Sequence, residues 1–157
     1  MFFKNVLVPY DESDHARSAL HIAFGMVGDD PDATVHVISV VSFNAVSMPM
    51  LAGGAFDDSS IMASSVDYDS MMGAIVHRVR ADIQNVVDDA LDNAQCKVVT
   101  NAKVANSPVE GIAEYVSDHG IDLIVMGRRG LGALRGMLGS VSFGVLRSVD
   151  VPVLTVK

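Results

Sequence analysis

Short apolar runs alternate along the chain with longer stretches whose apolar residues recur at helical spacing. The short runs are rich in β-branched residues and predict five strands, at residues 6–9, 34–41, 97–104, 122–126 and 151–156. The longer stretches predict four helices, which begin at Ser13 or Asp14, near Met71, at Ser107 and close to Ser140. This order of elements predicts one α/β domain over residues 1–157, with a parallel sheet and helices on both faces.

One segment, residues 42–69, follows neither pattern. It is rich in methionine, glycine and serine and is long for a loop inside a compact domain. Two interpretations remain open. The segment is either a disordered, mobile insertion, or a lid or dimer contact whose methionines adapt to a partner.

Composition narrows the class of protein. The chain has 157 residues, half of them hydrophobic, which is enough for one core. It contains no apolar run that could span a bilayer and begins with nothing resembling a signal peptide, so we expect a cytoplasmic protein. Cys96 is the only cysteine, which excludes an internal disulfide and favours an inert, buried thiol.

The charge is unevenly distributed. The net charge of −8 argues against a general nucleic-acid binder. Residues 127–157 nevertheless carry five basic side chains and one acidic one. A cationic segment on an acidic protein indicates a confined anion site, although a solvated basic surface gives the same count.

The segment that follows the fourth strand is the strongest candidate for chemistry. Glycines at 127 and 130 let backbone N–H groups approach an anion, and Gly139-Ser140 stands before the last helix, where phosphate is favoured. Arg128 and Arg129 can add charge-assisted hydrogen bonds. The alternative is that these glycines only form turns.

The loop after the first strand should share the same crevice if strands one and four are neighbours. Asp11 in this loop would repel phosphate, so we expect it to accept hydrogen bonds from a ribose or base, or to hold a metal-bound water. The alternative role is local: a helix-entry residue that bonds nearby backbone.

Four segments together resemble the universal stress protein family. They are Val8-Pro-Tyr-Asp-Glu-Ser13, residues 122–130, Gly139-Ser-Val141 and residues 151–156. The resemblance covers nearly the whole chain. It implies a five-stranded parallel sheet of order 3-2-1-4-5 in a three-layer sandwich, and homodimers that are often joined through the last strand, here residues 151–156.

ATP-binding members of that family carry a Gly-x2-Gly-x9-Gly-Ser/Thr motif. Matching it here implies a nucleotide site made of Pro9, Asp11, Val40, Met126, Gly127, Arg128, Gly130, Gly139, Ser140 and Val141. The expected ligand is ATP, or AMP or ADP, with or without Mg²⁺. One departure stands out, because eight residues rather than nine separate Gly130 from Gly139. A one-residue change either shifts the last phosphate contacts or is absorbed within the loop.

These features predict a nucleotide-binding regulatory protein of the stress response. The alternative is a family member that binds no nucleotide and acts through dimerisation and protein contacts. No arrangement of base and nucleophile predicts catalytic residues, so we expect slow ATP hydrolysis at most. A phosphoacceptor receiver domain is disfavoured because the third strand ends without an Asp, and scattered histidines disfavour a metal enzyme.

Overall fold

The computed structural model describes residues 2–42, 65–90, 94–131 and 138–157. In this part of the chain the strands are β1 (Asn5–Pro9), β2 (Thr34–Ser42), β3 (Lys97–Ala105), β4 (Leu123–Gly127) and β5 (Val153–Val156). The helices are α1 (Asp14–Val27), α2 (Ser65–Ala90), α3 (Pro108–His119) and α4 (Ser140–Ser148).

The five strands form one parallel sheet of order β3-β2-β1-β4-β5, which confirms the predicted fold class and strand order. β1 lies between β2 and β4, with Pro9 opposite Ile38 and Leu7 opposite Ile124. Because all strands run the same way, the carboxyl ends of β1, β2 and β4 meet at one edge of the sheet. The loops after β1 and β4 therefore share a crevice at that edge.

Alternating side chains of β1 divide the core into two layers. Val6 and Val8 pack on one face with residues of α1 and α2, whereas Leu7 packs on the other face with residues of α3 and α4. This alternation is what a strand buried on both faces requires. The result is the predicted three-layer sandwich.

The predicted helix caps are largely present. The Ser13 Oγ accepts a hydrogen bond from the Ala16 N–H (3.2 Å), and the Ser107 Oγ accepts one from the Glu110 N–H (3.2 Å). Each hydroxyl satisfies an N–H that has no partner within its helix. Gly120 ends α3 in the left-handed conformation, with φ of 59°.

Several predicted boundaries differ from those of the structure. α2 begins at Ser65, earlier than Met71, because the apolar residues of its first turn do not recur at helical spacing. It is described as far as Ala90, and residues 91–93 lie outside the described part of the chain. Of the proposed loop at 42–69, Ser42 belongs to β2 and residues 65–69 belong to α2. Residues 43–64, with all three of its methionines, lie outside the described residues. β5 begins at Val153 and not at 151, because Pro152 has no N–H to give to the sheet.

None of the helices in the described part of the chain is both long and apolar enough to cross a membrane.

Candidate functional site

A cavity of about 570 Å³ opens at the edge of the sheet where β1, β2 and β4 end. Of the ten residues predicted for the site, the nine that line this cavity are Pro9, Asp11, Val40, Met126, Gly127, Gly130, Gly139, Ser140 and Val141. Residues 130 positions apart in sequence are thus brought together by the strand order. Their role in binding stays a prediction.

Arg128 is the exception, and Arg129 takes its place in the cavity wall. The backbone of Arg128 is engaged in the fold: its N–H donates to the Val156 carbonyl (2.6 Å), and its carbonyl accepts from the Gly139 N–H (2.9 Å). Because the strand alternation ends at Gly127, the sequence pattern does not decide which of the two arginines faces the cavity.

Arg129 carries a buried donor that has no partner in the described part of the chain. Its Nε is shielded from solvent and has no hydrogen-bond acceptor among the described residues. Most buried polar atoms in proteins are hydrogen-bonded, so an orphaned donor in a cavity wall points to an acceptor that a ligand supplies.

The two oxygens of Asp11 have different surroundings. Oδ1 accepts hydrogen bonds from the Ser13 Oγ (2.6 Å) and the Ser13 N–H (3.2 Å), which is the predicted local role. Oδ2 approaches the backbone of Gly130 so closely that a Cβ there would collide with it. Between these residues, Glu12 adopts the left-handed conformation, with φ of 65°. The carboxylate is therefore held in place by the fold while it also lines the cavity.

The glycines have a packing role that differs from the predicted one. A Cβ on Gly127 would lie 2.9 Å from the Cβ and 3.0 Å from the carbonyl carbon of His15, at the start of α1. A Cβ on Gly139 would lie 3.3 Å from the Cα of Arg129. At these two positions glycine lets protein backbone approach protein backbone. The predicted approach of an anion to Gly127 and Gly130 stays a prediction.

The two ends of the glycine segment meet. Besides the bond between the Gly139 N–H and the Arg128 carbonyl, the buried Ser142 hydroxyl donates to the Gly127 carbonyl (2.9 Å). The eight-residue spacing therefore leaves Gly139 and Ser140 on the same cavity as Gly130. Of the residues in between, 132–137 lie outside the described part.

The N-terminus of α4 forms a polar wall of the cavity. Gly139 is its N-cap and offers no side-chain cap, and the first-turn residues Ser140, Val141 and Ser142 all line the cavity. First-turn N–H groups have no partner within their own helix, and the helix dipole adds positive potential there. This end of the cavity is suited to an anion.

Apolar side chains form much of the remaining lining, and sequence reasoning missed most of them. The lining residues outside the ten predicted for the site are Tyr10, Ala16, Ile38, Ser39, Pro108, Ile112, Arg129, Leu131, Leu138 and Ser142. Ile38 and Ser39 could have been found, because parallel strands that end at one edge place the end of β2 beside Pro9. Ser142 carried no signal, since a serine in the first turn of a helix is ordinary.

Metal and thiol chemistry find little support in the described residues. No three His, Cys, Asp or Glu side chains cluster there as a metal site. Cys96 is buried away from the cavity, and this burial raises the pKa of its thiol, which favours the unreactive form.

The comparison with known families agrees with the fold. The model of the universal stress protein family matches residues 2–157. The chain belongs to this family. A universal stress protein of Thermus aquaticus is 28% identical over 157 residues, covering 99% of both chains. The universal stress protein MJ0577 of Methanocaldococcus jannaschii is 27% identical over 161 residues, covering 100% of this chain and 96% of that one.

Solved structures share the architecture. MJ0577 superposes with a TM-score of 0.76 at 22% identity, over 100% of this chain and 97% of its own. A universal stress protein in complex with cAMP has a TM-score of 0.62 at 19% identity (99% and 98% covered). One from Archaeoglobus fulgidus in complex with dAMP has a TM-score of 0.58 at 18% identity (100% of both). At these identities the likeness concerns the fold.

Proposed function

We propose that this protein is a regulatory member of its family that binds an adenine nucleotide in the cavity, with ATP as the leading ligand. The observation that carries the proposal is the composition of the cavity wall. It combines apolar side chains with a fixed carboxylate, a buried arginine N–H that has no acceptor among the described residues, and a helix N-terminus without a side-chain cap.

Each part of the wall matches one part of a nucleotide. Apolar side chains such as Ile38, Val40 and Met126 suit the flat base. Asp11 accepts hydrogen bonds and so suits sugar hydroxyls. Arg129 and the start of α4 suit phosphate oxygens. Two solved family members hold cAMP and dAMP, which supports an adenine nucleotide as the class of ligand.

The proposed role is regulation instead of rapid turnover. Asp11 is the acidic residue in the described lining, and one of its oxygens is already engaged by Ser13. The described lining contains no histidine or lysine beside Asp11 that could form an acid–base pair with it. We therefore expect at most slow hydrolysis of ATP.

Isothermal titration calorimetry of the purified full-length chain tests the proposal. We expect saturable one-to-one binding of ATP with Mg²⁺, weaker binding of GTP, and an order of affinities for ATP, ADP and AMP that identifies the preferred ligand. A chain that gives no saturable heat with any adenine nucleotide, with or without Mg²⁺, contradicts the proposal. Gly127 variants are unsuitable here because Gly127 packs against α1.

We also propose that the protein acts as a homodimer through β5. β5 is an edge strand of the described sheet, and Leu154 on it is exposed. Phe143 and Leu146 on α4, the helix that precedes β5 in the chain, are exposed as well. Exposed apolar side chains beside an unpaired strand edge favour association with another chain. The same observation favours the second candidate function, in which the protein acts through dimerisation and protein contacts without a nucleotide.

A further inference from the structure

We propose that Arg129 is the residue by which the cavity distinguishes a nucleotide from the corresponding nucleoside. This inference rests on the proposed function and adds to it a specificity-determining residue outside the family motif match. The first support is that Arg129 lines the cavity while its Nε is shielded from solvent and has no acceptor among the described residues. Such a donor is destabilising while it lacks an acceptor. An oxygen of a bound phosphate would be the missing acceptor.

The second support is the charge of the wall. Asp11 and Arg129 are the charged side chains in the described lining. Asp11 approaches Gly130, whose backbone adjoins Gly139 at the start of α4. An anion held at this helix N-terminus therefore meets a fixed negative charge nearby, and Arg129 provides the positive charge that offsets it.

The third support is position. A Cβ on Gly139 would lie only 3.3 Å from the Cα of Arg129, so this arginine starts from the same wall as the first turn of α4. A phosphate offers several acceptor oxygens and can take hydrogen bonds from a guanidinium and from backbone N–H groups together. A nucleoside offers no such anion and would use only the apolar wall and Asp11.

The test compares AMP with adenosine by calorimetry on the wild-type chain, Arg129→Gln and Arg147→Gln. Arg147 is an exposed arginine on α4 that lies over the Phe143 ring outside the cavity, so its variant matches the change in net charge. We expect Arg129→Gln to weaken AMP binding about 10- to 100-fold, as for a lost charge-assisted hydrogen bond, with adenosine changed less than about twofold. Arg147→Gln should bind both ligands like the wild type.

A second variant, Asp11→Asn in the Arg129→Gln background, tests the charge argument. The asparagine keeps an oxygen that can accept from Ser13, and it removes the negative charge. We expect it to restore part of the lost AMP affinity. If the double variant binds AMP no better than Arg129→Gln alone, Arg129 does not act by offsetting Asp11.

Equal losses for AMP and adenosine, or no loss for either, would overturn the role of Arg129. If Arg129→Gln fails to fold by circular dichroism, Arg129→Lys replaces it, and undiminished selectivity for AMP over adenosine in that variant contradicts a role for the fixed Nε. If the wild type binds no adenine nucleotide, the proposed function fails. In that case pyrophosphate tests the phosphate contact of Arg129 separately: binding to the wild type at least tenfold tighter than to Arg129→Gln supports the contact, and equal binding contradicts it.

Discussion

At the scale of single residues, His36 on β2 is a buried histidine whose protonation should destabilise the fold. Its Nδ1 lies 3.1 Å from the Tyr115 hydroxyl, and the Tyr115 ring stacks on His119 with centroids 3.8 Å apart. Burial lowers the pKa of His36, and the neighbouring His119 lowers it further. Leu7 on β1 and Val99 on β3, its partners in the sheet, offer no charge that would stabilise an imidazolium.

A pH-dependent stability follows from this environment. Because the pKa of His36 is lower in the folded chain than its unfolded value of about 6.5, the unfolded chain takes up the proton first as pH falls. The stability that neutral His36 contributes is thus present above pH 6.5 and is lost below it. We expect the melting temperature between pH 7.5 and pH 5 to fall less in His36→Gln than in the wild type, by a few degrees.

His21→Gln is the matched control, since His21 is exposed on α1 and its replacement leaves the buried histidine in place. It should follow the wild-type pH profile. Parallel pH profiles for wild type and His36→Gln in differential scanning calorimetry would contradict the role given to His36.

At the scale of elements, the contact between β4 and α1 depends on Gly127. The space that a side chain would need there is occupied by the backbone of His15 and Ala16. Atoms of a helix backbone cannot move aside as a flexible side chain can, so an added methyl group overpacks the junction.

Gly127→Ala should therefore destabilise the fold by about 1–3 kcal/mol, measured by urea unfolding. Gly25→Ala is the control, because Gly25 lies within α1 with no atom within 4 Å of an added Cβ. Alanine in a helix interior should stabilise the chain by about 0.5–1 kcal/mol. A Gly127→Ala variant as stable as the wild type would show that the junction has room.

The elements were predicted well where apolar spacing is regular and poorly where it is not. β4 is buried along its whole length and α3 has a capping serine and a closing glycine, and both were found within a residue or two. The first turn of α2 carried no such signal. In the site, the predicted motif positions came together, whereas the choice of Arg129 over Arg128 depends on the turn after β4, which side-chain periodicity does not specify.

At the scale of the whole molecule, the proposed homodimer gives the clearest prediction. If β5 forms the interface, a lysine in place of the exposed Leu154 would bring a charge into that interface and should prevent dimerisation. Light scattering of the wild type should give twice the chain mass of 16.6 kDa, and Leu154→Lys should give the mass of one chain.

Val99→Lys provides the control, because Val99 lies on β3, at the opposite edge of the described sheet, and is 39% exposed, as Leu154 is. It should remain dimeric. A wild-type chain that is monomeric at every concentration, or a Leu154→Lys chain that stays dimeric, would contradict an interface at β5.

The bond between the Gly139 N–H and the Arg128 carbonyl has a consequence for how such sites are recognised. It joins the start and the finish of the glycine segment, so in this chain the two ends lie together although eight residues separate Gly130 from Gly139. A sequence pattern that requires nine residues between the second and third glycines would miss this chain, which has eight there. The more informative criterion is structural: whether the backbone before the last helix is hydrogen-bonded to the backbone that follows the fourth strand.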